Sequence, residues 1–340
     1  MSLTIELLKF IGSPYLSSSH RSSNVSNALE LLKYSTKNRL SLLYLNAAKP
    51  TEFFHDLGRI YDRQITRYAE TFEAVARISQ ALFNAGVEHA VFKTLRPYVS
   101  TTVDIDVLIF GSIFDYEKSL KTAIEAGYKK LARGPMSTTF LDPKVKIGVD
   151  LYNEVAVSYV PYIDKVKLAT QVIDTKLPSG EYVRTLACEA DLVSIIAHSI
   201  IKENIYTLSE YYTYVYYLEQ LSVDRFVKLA EETHLKSATM IHTAITALLY
   251  KVAYKSLPYK LQQIMAKVGV EEFETTRVIK KDLEMPHKYH PATIARCLLE
   301  MARENKTRKG IADQIIHGLN LGFSRDFFNK LSEHMTRRTY

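Results

Sequence analysis

The sequence predicts an α+β protein, with a small mixed β-sheet in the middle of the chain and helical regions on both sides. Three observations support this prediction. Apolar residues recur at helical spacing before residue 85, short apolar segments separated by turn-forming residues follow, and helical spacing returns after residue 187. We therefore expect a helical N-terminal region at 1–85, an α+β domain at 86–186 and a helical C-terminal domain at 187–340.

The N-terminal region is predicted to be helical on both sides of a short interruption. A serine-rich loop at 13–25 precedes leucines that recur at helical spacing over 27–46, with a break near Ser35. A longer helix begins near Pro50 and ends at Gly86, because glycine is favoured just beyond the C-terminus of a helix.

The middle of the chain alternates short apolar segments with turn signals. The predicted elements are strands at 90–92, 103–110, 137–141, 145–152, 172–177 and 182–186, and a helix at 112–126. Asp142-Pro143 and Pro178-Ser179-Gly180 divide the last four strands into two hairpins. These strands predict a sheet with mixed or antiparallel pairing.

Helical spacing dominates the last part of the chain. Helices are predicted at 189–203, 206–220 and 223–256, with breaks near Asn204, Ser222 and Pro258. The last forty residues hold eight Lys or Arg against four Asp or Glu, a composition that suits either a solvated helical face or contact with an RNA backbone.

Bulk properties restrict the class of protein. The 340 residues include 47% apolar and 24% charged residues, which is typical of a globular chain, and the net charge of +7 is compatible with a nucleotide or nucleic-acid partner. Cys188 and Cys297 fit no zinc pattern and are typical of buried thiols in a reducing compartment. Because no apolar run is long enough for a signal peptide or membrane span, we expect a cytoplasmic protein without membrane contact.

Three aspartates interrupt the most apolar strands. Asp104 and Asp106 lie in the run Val103–Phe110, and Asp150 lies in a second short strand. Residues at i and i+2 of a strand project from the same face about 6.6 Å apart, so the first two carboxylates point together. Three neighbouring carboxylates repel one another unless a cation lies between them, and oxygen ligands suit Mg²⁺ or Mn²⁺. The pattern predicts a metal site for phosphoryl or nucleotidyl transfer; the alternative is a solvated polar face of the sheet.

The order of these segments resembles the polymerase-β-like nucleotidyltransferase superfamily. The resemblance is carried by the segments VEHAVFK at 87–93, DIDVLI at 104–109 and VDLY at 149–152, with helices ending at Gly86 and Gly127 around them. It is nearest to an uncharacterised branch with a lysine-glycine motif, a DIDLLV strand and a later ELH strand. The helical continuation of that branch also resembles the stretch from Asp191 to Leu218, so the likeness covers about 55–220.

The resemblance implies a reaction and roles for the aspartates. Members transfer a nucleoside monophosphate from an NTP to a hydroxyl or similar acceptor, with two divalent metal ions. By the match, Asp104 and Asp106 would be metal ligands, and Asp150 would complete the second metal site and help to deprotonate the acceptor. The implied fold is a small mixed-sheet nucleotidyltransferase core at 86–186.

The chain departs from the superfamily at the residues that approach the phosphates. The usual Gly-Gly or Gly-Ser after the first strand is replaced by Thr94-Leu95, and Ser100 stands where the branch often has Arg. Substitute phosphate contacts would come from nearby cations and hydroxyls: Lys93, Thr94, Arg96, Ser100, Thr101 and Thr102. The other interpretation is that the chain has lost NTP binding.

His198 and Lys202 are further candidates for nucleotide or acceptor binding. They are four residues apart in a predicted helix and therefore share one face. They would line a cleft between the sheet and the helices after residue 189. The alternative for His198 is a histidine with its hydrogen bonds satisfied at a domain contact.

Three functions stay open from the sequence. The first is a Mg²⁺- or Mn²⁺-dependent nucleotidyltransferase with an NTP substrate and RNA (including tRNA), protein or a small molecule as acceptor. The second is a catalytically degenerate nucleotidyltransferase fold that binds RNA or protein. The third shares the chemistry of the first but acts as a toxin-like enzyme that blocks tRNA.

Overall fold

The computed structural model describes residues 2–16, 27–270 and 283–318. The serine-rich loop beyond residue 16 and the basic residues beyond residue 318 lie outside the described part of the chain.

Strands occur mainly in the middle of the chain, as predicted. They are β1 His89–Val91, β2 Asp104–Ile109, β3 Lys129–Arg133, β4 Ser137–Leu141, β5 Gly148–Tyr152, β6 Val155–Val157, β7 Val160–Ile163, β8 Val172–Lys176, β9 Tyr182–Leu186, β10 Ile205–Tyr206 and β11 His287–Lys288. Seven of them form one mixed sheet in the order β3-β4-β5-β2-β1-β9-β8. The β2–β5 and β1–β9 pairs are parallel, and the predicted β4–β5 and β8–β9 hairpins are confirmed.

Five of the described strands were not predicted: β3, β6, β7, β10 and β11. The strand β3 forms one edge of the sheet and pairs only with β4; all five of its residues are exposed and three are basic, so it lacks the apolar alternation of a half-buried strand. The β6–β7 and β10–β11 ribbons are too short to give a periodic signal.

Helices make up most of the rest of the described chain. They are α1 Leu3–Ile11, α2 Ala28–Lys37, α3 Ser41–Ala48, α4 Phe54–Asn84, α5 Ile113–Glu125, α6 Lys165–Ala169, α7 Cys188–Ala197, α8 Leu208–Tyr217, α9 Val223–Glu232, α10 Lys236–Tyr254, α11 Tyr259–Val268, α12 Pro291–Met301 and α13 Asn305–Gly318. No helix among the described residues has the length and apolar character needed to cross a bilayer.

Two predicted helices have different breaks in the structure. The break predicted near Ser35 lies at Asn38 and Arg39, where Arg39 adopts a left-handed φ of 59°. The single helix predicted at 223–256 is divided between α9 and α10, where His234 has a φ of 57°. Apolar spacing continues across this second break, so the periodic pattern did not reveal it.

The sheet separates two apolar clusters. Ile105, Val107 and Ile109 of β2 point toward α4 and α5, whereas Leu108 points toward the larger cluster, which contains α1–α3 and the helices after α7. Because successive strand residues face opposite sides, Asp104 and its i+2 neighbour share the face of Leu108. The register of β2 therefore turns the acidic positions toward the C-terminal helices.

Candidate active site

The structure brings the three aspartates together. In the parallel pair β2–β5, Asp106 is directly opposite Asp150, and Asp104 lies two residues earlier on the same face. One carboxylate oxygen from each residue lies within 4.8 Å of the other two. The described residues contain no other such group of three His, Cys, Asp or Glu side chains.

Burial and mutual repulsion set the proton affinities of this triad. Burial, followed by the charges of Asp106 and Asp150, raises the pKa of Asp104 to about 7. Burial is also the main reason why the pKa of Asp150 is raised. For Asp106, burial acts in the same direction, but the nearby ammonium groups of Lys93 and Lys202 outweigh it and the pKa is lowered.

The donor set fits a hard divalent cation. All three candidate ligands are carboxylate oxygens, and the buried Oδ1 atom of Asp150 has no hydrogen-bond partner among the described residues. Mg²⁺ and Mn²⁺ prefer oxygen ligands of this type. Asp104, Asp106 and Asp150 could therefore hold one of these ions.

Lys93 reaches the triad from the end of β1. Its backbone has a left-handed φ of 58°, and its N–H donates to Oδ1 of buried Asp191 at 2.6 Å. The Lys93 Nζ atom lies 3.3 Å from Oδ2 of Asp106 and 3.2 Å from Nδ1 of His198. Burial is the main reason why the pKa of Lys93 is lowered, and the charge of Asp106 opposes that effect. The structure thus places this predicted phosphate ligand directly against a candidate metal ligand.

His198 connects Lys93 to a second ion pair. Its Nδ1 atom is 3.2 Å from both Lys93 Nζ and the Tyr162 hydroxyl, and its Nε2 atom is 3.3 Å from Oε1 of Glu203. The other oxygen of Glu203 pairs with Arg39 at 3.3 Å. Burial and the charge of Lys93 lower the pKa of His198 to about 3, so the ring is neutral. Because ammonium only donates, Nδ1 accepts and Nε2 carries the proton toward Glu203.

Lys202 approaches the triad through a tyrosine. Residues His198–Lys202 form a π-helical turn that continues α7, a geometry often found at functional sites. Lys202 Nζ donates to the Tyr152 hydroxyl at 3.1 Å, and the same hydroxyl contributes to the lowered pKa of Asp106, on which burial and the neighbouring cations act more strongly. Both His198 and Lys202 contact residues of the sheet or its loops, and their predicted contact with a nucleotide or acceptor stays a prediction.

The threonines predicted to contact phosphate form hydrogen bonds in and around the loop between β1 and β2. Thr94 Oγ1 accepts from the Asp106 backbone N–H at 2.8 Å, and Thr102 Oγ1 donates to the Asp104 carbonyl at 2.7 Å. Thr101 Oγ1 donates to Gln64 at 3.0 Å. These hydroxyls therefore shape the loop that leads into β2, and phosphate binding by them stays a prediction.

Arg96 and Ser100 also lie in the loop between β1 and β2. Arg96 donates to Thr213 Oγ1 at 3.3 Å and lies 3.9 Å from Oε1 of buried Glu210, so its charge is directed toward the start of α8. Ser100 is half-buried. Their predicted contact with a nucleotide stays a prediction.

A cavity of about 240 Å³ lies on the far side of the Lys93 turn. Lys93, Arg96, Asp191 and Tyr217 contribute to its lining, and the triad does not. The cavity therefore adjoins the candidate site without containing the acidic residues.

Sequence reasoning missed several residues of the site. Tyr152 is two positions after Asp150 in the same strand, so the two-residue period of a strand predicts that both side chains lie on one face. Arg39, Tyr162 and Glu203 come from three other elements and carried no such signal.

Four tyrosines of the segment predicted as a helix at 206–220 belong to the apolar core. They are buried and pack against other rings: Tyr206, Tyr211, Tyr212 and Tyr214.

Comparison with known proteins identifies no family for this chain. No family model matches the chain, and a search of curated proteins finds no match. The residues of the site are therefore the basis for the function proposed below.

Proposed function

We propose that this protein is a metal-dependent nucleotidyltransferase that moves a nucleoside monophosphate from an NTP to an acceptor hydroxyl. The observation that supports this proposal is the acidic triad, whose carboxylate oxygens lie within 4.8 Å of one another on adjacent parallel strands. Lys93 and Lys202 add positive charge at the same place, where a triphosphate would need it.

Asp104, Asp106 and Asp150 would hold Mg²⁺ or Mn²⁺. Such an ion, when bound, supplies charge stabilisation to the phosphoryl oxygens. In the proposed reaction the acceptor oxygen forms a bond to the α-phosphorus, the bond to the bridging oxygen breaks, and pyrophosphate leaves. Asp150, whose pKa is raised by burial, accepts the proton of the acceptor hydroxyl.

The ammonium groups would orient the triphosphate. Lys93 is fixed between Asp106 and His198, and Lys202 is held by Tyr152, so both charges are positioned before substrate arrives. Groups that are already oriented contribute more to transition-state stabilisation than groups that must reorganise.

The acceptor class is RNA, including tRNA, a protein hydroxyl or a small molecule. The net charge of +7 favours nucleic acid. A salt titration of RNA affinity tests this choice, because binding to a phosphate backbone weakens steeply as salt rises. The proposed location is the cytoplasm, and the free thiols Cys188 and Cys297 are consistent with it.

Transfer of label from each α-³²P-labelled NTP to RNA, protein and small acceptors tests the reaction. We expect transfer that requires Mg²⁺ or Mn²⁺ and falls by about a thousandfold in Asp106→Asn and Asp150→Asn. Asp62→Asn, at an exposed position on α4, is the matched control and should leave transfer unchanged. Full activity of Asp106→Ala would contradict the mechanism.

A degenerate fold that binds RNA or protein is the second candidate function. Two observations favour it. The Lys93 Nζ atom lies 3.3 Å from Asp106 and already neutralises part of the charge of the triad. The Thr94 hydroxyl already accepts a hydrogen bond from the Asp106 backbone N–H. Binding that is independent of divalent cations and unchanged by Asp106→Asn supports this alternative.

A toxin-like nucleotidyltransferase acting on tRNA is a special case of the proposed reaction. Growth arrest on expression, lost with Asp104→Asn, would identify it. Expression without growth arrest, combined with label transfer in vitro, would exclude this role and leave the reaction standing.

A further inference from the structure

The ammonium group of Lys93 is a buried cation inside the candidate metal site. The side chains of Lys93 and Asp106 are 4% and 12% exposed, and their charged atoms are 3.3 Å apart. Nζ also lies over the rings of Phe92 and Tyr152, 4.5 and 5.0 Å from their centroids. Burial of an ammonium group costs free energy unless the group is paired. These contacts therefore stabilise the buried ammonium and fix its position.

Both ends of this residue are anchored. The backbone N–H of Lys93 binds Asp191, which also accepts from the Tyr217 hydroxyl at 2.8 Å. At the other end, His198 accepts from Nζ and is itself held by Glu203. The ammonium therefore has little freedom to leave the triad.

The charges in the site balance with one divalent ion. Without bound nucleotide, three carboxylates carry a charge of −3 when ionised, and the Lys93 ammonium with one divalent ion supplies +3. Lys202, whose Nζ donates to Tyr152, adds further positive charge nearby. A second divalent ion would have to sit close to Nζ and would leave the nucleotide-free cluster with an excess of positive charge, which like-charge repulsion opposes.

We propose that the Lys93 ammonium takes the place of a second metal ion, so that the triad binds one divalent cation and not two. This inference rests on the proposed function, because it assumes that the triad binds metal. Lys202 differs in that its Nζ binds the Tyr152 hydroxyl, one residue removed from the carboxylates.

The number of Mn²⁺ ions bound by the full chain tests the inference. Electron paramagnetic resonance of free Mn²⁺ gives this number in nucleotide-free solution, since a nucleotide would itself bind Mn²⁺. We expect one ion on the wild type and on Lys202→Met, and two on Lys93→Met, with the first ion bound about tenfold or more tightly because a neighbouring positive charge is lost. Lys93→Arg keeps the charge and should bind one.

The outcomes separate this inference from the reaction itself. Two ions on the wild type, or a single ion on folded Lys93→Met, overturns the inference and leaves a metal-dependent reaction standing. No Mn²⁺ on the wild type contradicts the proposed function and the inference with it. If Lys93→Met does not fold, the wild-type number and that of Lys93→Arg still decide between one ion and two.

Discussion

Burial and two neighbouring carboxylates disfavour the charge of Asp104, and we expect its removal to stabilise the folded state. Burial, then the carboxylates of Asp106 and Asp150, raise its pKa from 3.8 to about 7. At about 1.4 kcal/mol for each tenfold change in proton affinity, this difference corresponds to about 4 kcal/mol. Because Asp104 keeps some contact with solvent, about 4 kcal/mol is an upper limit for the effect.

The sign follows from the proton that each state binds. Between pH 4 and pH 7 the folded state holds a proton on Asp104 that the unfolded state has released, so the free energy of unfolding falls as pH rises through this range. Asparagine has no such proton. Asp104→Asn should therefore match the wild type near about pH 4 and exceed it by up to about 4 kcal/mol near about pH 8.

Urea unfolding across this pH range, with divalent cations chelated, measures the difference. Asp62→Asn is the control, because this exposed helix position lies outside the triad. Excess Mg²⁺ should stabilise the wild type at high pH and reduce the advantage of the Asp104 variant. A variant less stable than the wild type at high pH, or a difference that does not change with pH, would refute the reasoning.

Three further predictions concern the rest of the molecule. Buried His242 has no hydrogen-bond partner at either ring nitrogen among the residues that the structure describes, and burial lowers its pKa to about 3. The fold should therefore lose stability as pH falls from about 6.5 toward 3. In a pH series of thermal unfolding, His242→Leu should be about 1–3 kcal/mol more stable and lack this loss, and an unchanged acid profile would contradict this. A Cβ at Gly310 would clash with the Tyr159 carbonyl between β6 and β7, so Gly310→Ala should lower the free energy of unfolding by about 1–3 kcal/mol. Gly58→Ala, where the Cβ meets open space, should raise the free energy of unfolding by about 0.5–1 kcal/mol. Equal melting temperatures for the two variants would contradict this packing. Asp191→Ala leaves the Lys93 N–H unpaired and should cost about 2–3 kcal/mol in urea unfolding, and a neutral result would show that the turn does not depend on it.

Local sequence patterns were sufficient for the strands that carry the acidic residues. The apolar run around Asp104 and Asp106 predicts a buried strand with both carboxylates on one face, and the structure has both features. The hairpins around residues 142 and 178–180 followed from turn-forming residues. These features depend on backbone period and turn chemistry, which neighbouring residues determine.

The sequence patterns did not predict the strand whose burial does not alternate, nor the helix break that no turn-forming residue marks. The exposed edge strand β3 has no apolar period, and the break at His234 lies within continuous apolar spacing. In both places the backbone conformation depends on the neighbouring elements more than on the local composition.

The sequence by itself determined that Asp104 and Asp106 share one strand face. Only the tertiary structure, through the parallel pairing of β2 with β5, brought Asp150 opposite Asp106 and decided what surrounds the three carboxylates. Lys93 meets Asp106 and His198, and His198 meets Glu203, because the turn after β1 and the end of α7 pack on one face of the sheet. Contacts of this kind join positions about a hundred residues apart, and the packing of whole elements, rather than any local period, sets those distances.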